Sequence, residues 1–345
     1  MLRLMLIALL AALLPGGALA EPVRFVVFGD MPYCRAGTAD GCAAEVARVE
    51  RLLGAINAVR PAFSLFLGDT KAGSEACTDD IVLRALDWIA LADHPLVYTP
   101  GDNEWTECWK VRSGSFDPLD RLRLIRERYF IGKTHLGQGA LAVVRQSEAD
   151  PAHALYIENA RWVLDGVVFI TLHLPGSNNN KPTEPGELPK ISLPAGAEAE
   201  WQARNAANQA WLEAGFAEAA RLEARGVVVG IQADLFFTRV CGRGYDSGYR
   251  ETLATLARAA AGFGRPVLLL NGDNHIFVRD QPLPEVPNLM RIMVPGDRDV
   301  QAVVLIFDPG GAEPLRFELI GEAGDPPQQD PCDGYKALRE ATRTR

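Results

Sequence analysis

Short apolar runs that end in Gly-Asp recur along this chain, and each hands over to a stretch with helical spacing. VRFVVFGD (23–30) precedes AEVARVERLLGAINAVR (44–60), and AFSLFLGD (62–69) precedes TDDIVLRALDWIALAD (78–93), with Thr78 as a candidate N-cap. PLVYTPGD (95–102) follows, and then the helical DPLDRLRLIRERYF (117–130). HALYIENARWVLDGVVFITLHL (153–174) reads as paired strands, and GSNNNKPTEPGELPKISLPAG (176–196) as a long polar loop of the kind that is often functional. A helix is predicted from about Ala197 to Arg225, a strand over VVVGI (227–231), a helix near Tyr249–Ala261, and a strand in PVLLLNGDNH (266–275). MRIMVPG, VQAVVLIFDPG and LRFELIG near the end read as short antiparallel strands, before a polar tail at 333–345 expected to fray. Near-continuous apolar strands alternating with helices indicate α/β sheets covered by helices on both sides.

The first 20 residues place one Arg before an apolar run, then Pro-Gly-Gly and a small-residue end at Ala20. That is the pattern of a cleaved signal peptide, and the run is too short to span a bilayer. No later segment is long and apolar enough to span. Residues 21–345 are therefore expected to form one secreted or periplasmic domain. The formal net charge is −9 and becomes one unit more negative once Arg3 leaves. An acidic surface argues against broad binding to nucleic acid or anionic membrane, though not against a local phosphate site. Six cysteines behind a secretion signal favour disulfides. Connectivity is open among many pairings; we expect Cys34–Cys42, Cys77–Cys108 and Cys241–Cys332. The sequence does not define an oligomeric state.

Ligand sites in open α/β sheets form at the carboxyl ends of the strands. Asp30, Asp69 and Asp102 each follow an apolar strand, with Gly29, Gly68 and Gly101 allowing a tight turn. A fourth strand ends at Gln232 and a fifth at Asp273-Asn274-His275. One Gly-Asp after a strand is ordinary turn chemistry. Three in sequence, followed by GDNH, are harder to explain that way.

In order and spacing these segments resemble the calcineurin-like metallophosphoesterases, with their motifs D-x-H, G-D-x-x-D, G-N-H-D/E, a lone His and G-H-x-H. Here they stand as Asp30-Met31-Pro32, Gly68-Asp69-Thr70-Lys71-Ala72, Gly101-Asp102-Asn103-Glu104, Gln232 and Gly272-Asp273-Asn274-His275. The resemblance implies a two-sheet sandwich flanked by helices in four layers, α-β-β-α, and a two-metal site. It places Asp30, Asp69 and His275 at the first metal, where Pro32 replaces a histidine. It places Asp69, Asp102, Gln232 and Asp273 at the second, with Asp234 an alternative to Gln232.

All four second-site donors are oxygens, which suit Mg²⁺, Mn²⁺ or Ca²⁺ better than zinc or iron. Neighbouring carboxylates also repel one another without a cation between them. Asn103 stands where the family has a histidine near the leaving group, and it cannot act as an acid. Glu104 is expected to orient its neighbours, Lys71 to offer a positive charge to a phosphate, and Asn178, Asn179 and Asn180 to hydrogen-bond a substrate over the site. Trp105 and Trp109 are expected either to line a pocket or to pack under the loop. The implied activity is metal-dependent hydrolysis of a phosphodiester, phosphomonoester or phosphoanhydride in a phosphorylated small molecule or polymer. The competing reading is a non-catalytic relative that keeps an acidic binding pocket.

Overall fold

The computed structural model describes residues 21–34, 42–242, 244–324 and Cys332. The expected signal peptide and the polar tail lie outside them. Strands run, in chain order, β1 (Val23–Phe28), β2 (Ser64–Phe66), β3 (Pro95–Tyr98), β4 (Leu136–Gly137), β5 (Val144–Arg145), β6 (Ala160–Leu164) and β7 (Val167–Thr171). They continue as β8 (Gly226–Gly230), β9 (Val267–Asn271), β10 (Val278–Asp280), β11 (Leu289–Met293), β12 (Val300–Phe307) and β13 (Leu315–Glu322).

These strands form a six-stranded sheet, β13-β12-β1-β2-β3-β4, and a seven-stranded one, β10-β11-β9-β8-β7-β6-β5. In the first, β1, β2 and β3 are parallel, with Val26 opposite Ser64 and Leu65 opposite Val97. In the second, β7, β8 and β9 are parallel, with Val168 opposite Val227 and Val228 opposite Leu268. Every residue of β8 and β9 is buried, as their unbroken apolar sequences require of central strands.

The two sheets pack face to face. Phe25, Phe63 and Val303 of one meet Trp162, Phe169 and Val228 of the other in a shared core. Phe25 stacks on Phe63 at 5.1 Å, and Trp162 on Phe169 at 5.2 Å. Outside the first sheet lies the helix Ala43–Val59, which buries Val49, Leu52, Leu53 and Ile56. Outside the second lie the helices Ala197–Arg221 and Arg250–Phe263, contributing Trp211, Leu212, Phe216 and Leu256. The order of layers is α-β-β-α.

Several local readings change. The helix expected over 78–93 is two short ones, Asp79–Leu83 and Ala85–Ile89, and Thr78 makes no capping bond to the backbone. The 117–130 helix is capped by Asp117, which accepts from the Leu119 N–H, and widens into a π turn over Arg126–Phe130. β11 runs parallel to β9 rather than antiparallel, because the chain reverses into β10 and again into β11. The cysteines pair as Cys34–Cys42, Cys77–Cys108 and Cys241–Cys332, with Cα separations of 5.0, 5.7 and 5.4 Å. The described residues contain no helix long and apolar enough to cross a membrane.

Candidate metal centre

Because β1, β2, β3, β8 and β9 run in register within their parallel sets, their carboxyl ends open on one edge of the sandwich. Asp30, Asp69, Asp102, Gln232 and Asp273 emerge there, the first four buried and Asp273 half-buried. The turns that deliver them are tight. Asp30, Asp69, Asp273 and His275 have φ of 55°, 57°, 82° and 63°, a region non-glycine residues seldom occupy and one that concentrates at functional sites. Gly101 and Gly272 lie so close to Asp69 and Asp30 that a methyl at either would run into the carboxylate.

Asp30, Asp69 and His275 each offer a ligand atom within 4.8 Å of the others. The second such cluster, Cys34, Cys42 and Glu75, has its sulfurs joined to one another. Asp69 is the hub of the first. Its Oδ1 accepts the N–H groups of Asp102 (3.0 Å) and Asn103 (3.1 Å), and its Oδ2 accepts from the Tyr33 hydroxyl (2.6 Å) and Asn103 Nδ2 (2.7 Å). Asp30 accepts the Asp273 N–H at 3.1 and 3.2 Å. Burial and the charges of their neighbours push Asp30, Asp69 and Asp273 well above the usual carboxylate range, and Asp102 up to about 6. Burial lowers His275 to about 4, leaving it neutral and able to act as a ligand.

Other expected residues stand differently. Gln232 Nε2 lies 3.5 Å from both Asp102 Oδ1 and Asp273 Oδ1, while its Oε1 accepts the Gly176 N–H at 2.5 Å. Its amide N–H therefore faces the acids, and the expected oxygen donor is turned away. Asp234, the alternative, is held by Arg291 (2.8 Å), Asn274 and the Phe236 N–H, and reaches the cluster only by its own N–H to Asp273.

Lys71 is fully buried, with Nζ donating to the carbonyls of Ala72 (2.9 Å) and Asn103 (2.8 Å) rather than facing a phosphate. The reason is local: the turn after Asp69 folds the side chain under the 101–104 loop, close to the Glu104 charge. Asn178 and Asn179 are also turned inward, tied to Ser247, Gly248 and Arg204, so they shape the loop instead of lining the cleft. Glu104 sits beneath the ligands. Its Oε1 accepts from the N–H groups of Asp69 and Gly101 and from the Tyr98 hydroxyl, which locks two of the turns together. Trp105 packs, fully buried, against His173.

Three residues were not singled out from sequence. Tyr33 joins Asp69, Asn103 and His275, the last at 3.1 Å. Ser177 Oγ lies 2.6 Å from Asp102 Oδ2 and 2.5 Å from Glu107 Oε1. Glu107 belongs to the same turn as Asp102 and is held by Lys110 and Arg112. A cleft of about 380 Å³ reaches Tyr33, Asn103, Glu107, Arg112 and His275 from outside.

A dimetal phosphatase from Danio rerio aligns with 87% of this chain and 99% of its own, at 11% identity and a TM-score of 0.51. This chain has the metallophosphoesterase fold. A 5'-nucleotidase from Candida albicans (TM-score 0.45, 10% identity, 94% of this chain and 57% of its own) is a more distant likeness. So is a purple acid phosphatase from yellow lupin (0.46, 10%, 90% and 57%). No family model matches the chain, and no curated protein does. Within the metallophosphoesterase fold, the acids of this chain occupy the edge where the parallel strands of both sheets end.

Proposed function

We propose that this protein is a secreted or periplasmic phosphoesterase that depends on divalent metal ions. The observation that carries the reading is the convergence of buried Asp30, Asp69 and Asp102 and half-buried Asp273 beside a neutral His275. Buried like charges at this density call for a cation between them. The donor set fits one: Asp30, Asp69 and His275, with ligand atoms within 4.8 Å of one another, would hold a first ion, and the family resemblance assigns Asp69, Asp102 and Asp273 to a second. The excess of oxygen donors favours Mg²⁺, Mn²⁺ or Ca²⁺. Such ions supply Lewis-acid polarisation of a phosphoryl oxygen and lower the pKa of an attacking water.

The chain's own groups do the positioning. Tyr33 and Asn103 fix the orientation of Asp69, Glu104 braces the turns, and Ser177 spans Asp102 and Glu107. Asn103 lines the open cleft, but both of its amide hydrogens are taken by Tyr33 and Asp69, and it cannot protonate a leaving group, so esters and anhydrides with good leaving groups are the substrates of choice. Three disulfides fit an oxidising compartment. The 11% likeness to a dimetal phosphatase supports the reading at the level of fold.

A second reading is favoured by Gln232, whose amide N–H groups partly satisfy Asp102 and Asp273 as a cation would. In that case the acidic pocket binds without turnover. Elemental analysis of the purified protein beside Asp69→Ala, together with hydrolysis of an aryl phosphodiester in Mn²⁺ or Mg²⁺, separates the two. Bound metal and hydrolysis, both lost in the variant, support the enzyme. Bound metal without hydrolysis supports the binding protein, and no bound metal overturns both metal assignments.

A further inference from the structure

A second cleft, of about 300 Å³, shares Glu107 with the one that reaches Tyr33 and His275. Its connection to the acids is short, because Ser177 lines it and places Oγ 2.6 Å from Asp102. Its walls come from separate segments. Trp109 belongs to the turn that carries Asp102, Ile191 and Leu193 come from the long loop after β7, and Tyr245 follows the Phe237–Cys241 helix. The volume is at the lower end of what small-molecule sites occupy.

Apolar and aromatic faces left open beside a strongly acidic centre are costly to hydrate, and such patches mark binding sites. Of the two lysines in the lining, Lys110 is paired with Glu107, and Lys190 keeps its charge at the rim, with Nζ donating to the Glu184 carbonyl at 3.2 Å. What remains for a ligand is a slot between an indole, a phenol and branched aliphatic side chains, with its polar end at Ser177 and Glu107. A phosphate lying over Asp102 would project its organic substituent into this slot.

We infer that the cleft beside Trp109 is the subsite for a flat, apolar substituent of the phosphate ester, making aryl-type esters the preferred class. The inference rests on the phosphoesterase reading for where the phosphate lies, and its test reads binding separately from turnover. Phenyl phosphate, methyl phosphate, a hexose phosphate and inorganic phosphate are titrated calorimetrically into the Mn²⁺-loaded protein, its Trp109→Ala and Ile191→Asp variants, and Trp109→Phe.

Phenyl phosphate should bind the wild type about tenfold more tightly than methyl phosphate, the size of one good aromatic contact. The preference should fall below about threefold in Trp109→Ala and Ile191→Asp and persist in Trp109→Phe, with inorganic phosphate unaffected throughout. Ile191 is partly exposed on a loop, so its variant answers even if Trp109→Ala folds poorly. A wild type without the preference, a preference that survives both disruptive variants, or a hexose phosphate that binds as well as phenyl phosphate overturns the assignment. Hydrolysis of a 4-nitrophenyl ester is followed in parallel. If it is absent while the binding preference holds, the catalytic reading fails and the subsite stands.

Discussion

The Tyr33 hydroxyl donates a 2.6 Å hydrogen bond to Oδ2 of Asp69, and its ring stands edge-on to His275 at 4.9 Å. Tyr33 lies one residue beyond Pro32, which stands where the D-x-H motif has its histidine. One side chain thus orients two candidate ligands. Groups that hydrogen-bond a metal ligand set its direction, and their loss typically weakens metal affinity ten- to a hundredfold. Tyr33→Phe should therefore bind Mn²⁺ about tenfold more weakly by calorimetry. Its melting temperature should change little, because Asp69 Oδ2 keeps Asn103 Nδ2 at 2.7 Å. Unchanged affinity would show that Tyr33 is packing alone.

The acids predict how metal and pH combine. In the metal-free protein Asp102 holds its proton up to about pH 6, and Asp30, Asp69 and Asp273 are raised in the same direction by burial and mutual repulsion. Raised carboxylates contribute stability that is present below their unfolded values and lost as pH rises through the folded ones. Metal-free protein should lose stability from about pH 4 to beyond 6. A cation removes that loss, so the gain in melting temperature on adding Mn²⁺ should be larger at about pH 7.5 than at about pH 5. Equal gains at both values would separate the bound metal from these acids.

His173 carries the opposite sign. It is fully buried, accepts no proton readily, and stands 2.8 Å from Glu158, with burial lowering it to about 4. The unfolded chain takes up a proton below about 6.5, so stability should fall as pH drops from there towards 4. The slope is up to about 1.4 kcal/mol per pH unit. His173→Asn keeps a donor near Glu158 but cannot titrate. Urea unfolding of the Mn²⁺-loaded proteins should show a flatter profile for the variant between about pH 4 and 6.5. Parallel profiles would assign the acid sensitivity elsewhere.

Part of the site was legible in the sequence and part was not, for a physical reason. The backbone position of a strand-end acid follows from an apolar run and a glycine, and Asp30, Asp69, Asp102 and Asp273 do emerge at one edge. Side-chain direction depends on packing that no local pattern records. Lys71 resembles a loop cation but is drawn under the 101–104 turn by two carbonyls. Asn178 and Asn179 resemble a recognition loop but are consumed in fixing it. Glu107 and Ser177 are separated by 70 residues and meet only because β3 and β7 end at the same edge. The layers were readable because burial on both faces leaves its mark residue by residue, as in β8 and β9. The direction of β11 was not, since it depends on how many times the chain reverses before pairing.

Glycines offer a matched pair of tests. Gly54 lies inside the Ala43–Val59 helix with open space around its missing side chain. Gly54→Ala should stabilise by about 0.5–1 kcal/mol. Gly101→Ala would drive its methyl into Asp69. It should abolish Mn²⁺ binding and destabilise by about 2 kcal/mol or more. Denaturant titration with and without Mn²⁺ reads both, and a Gly101→Ala protein that still binds the ion would contradict the tight packing of the two turns.

Lys71 separates two roles that sequence could not. If its ammonium served a phosphate, Lys71→Met would raise KM for an ester and leave the fold intact. The structure gives it another task, because Nζ joins the carbonyls of Ala72 and Asn103 in a space without solvent. Methionine fills much of the same volume but leaves the buried Asn103 carbonyl without its donor, at about 1–3 kcal/mol, while the Ala72 carbonyl keeps the Glu75 N–H at 3.0 Å. It also removes the positive charge near Glu104, whose buried Oε2 has no hydrogen-bond partner. Lys71→Met should unfold at distinctly lower urea concentration and bind Mn²⁺ more weakly as the Asn103 turn loosens. Any ester hydrolysis that persists should keep the wild-type KM. A stable variant with normal metal affinity and a raised KM would return Lys71 to the substrate side of the site.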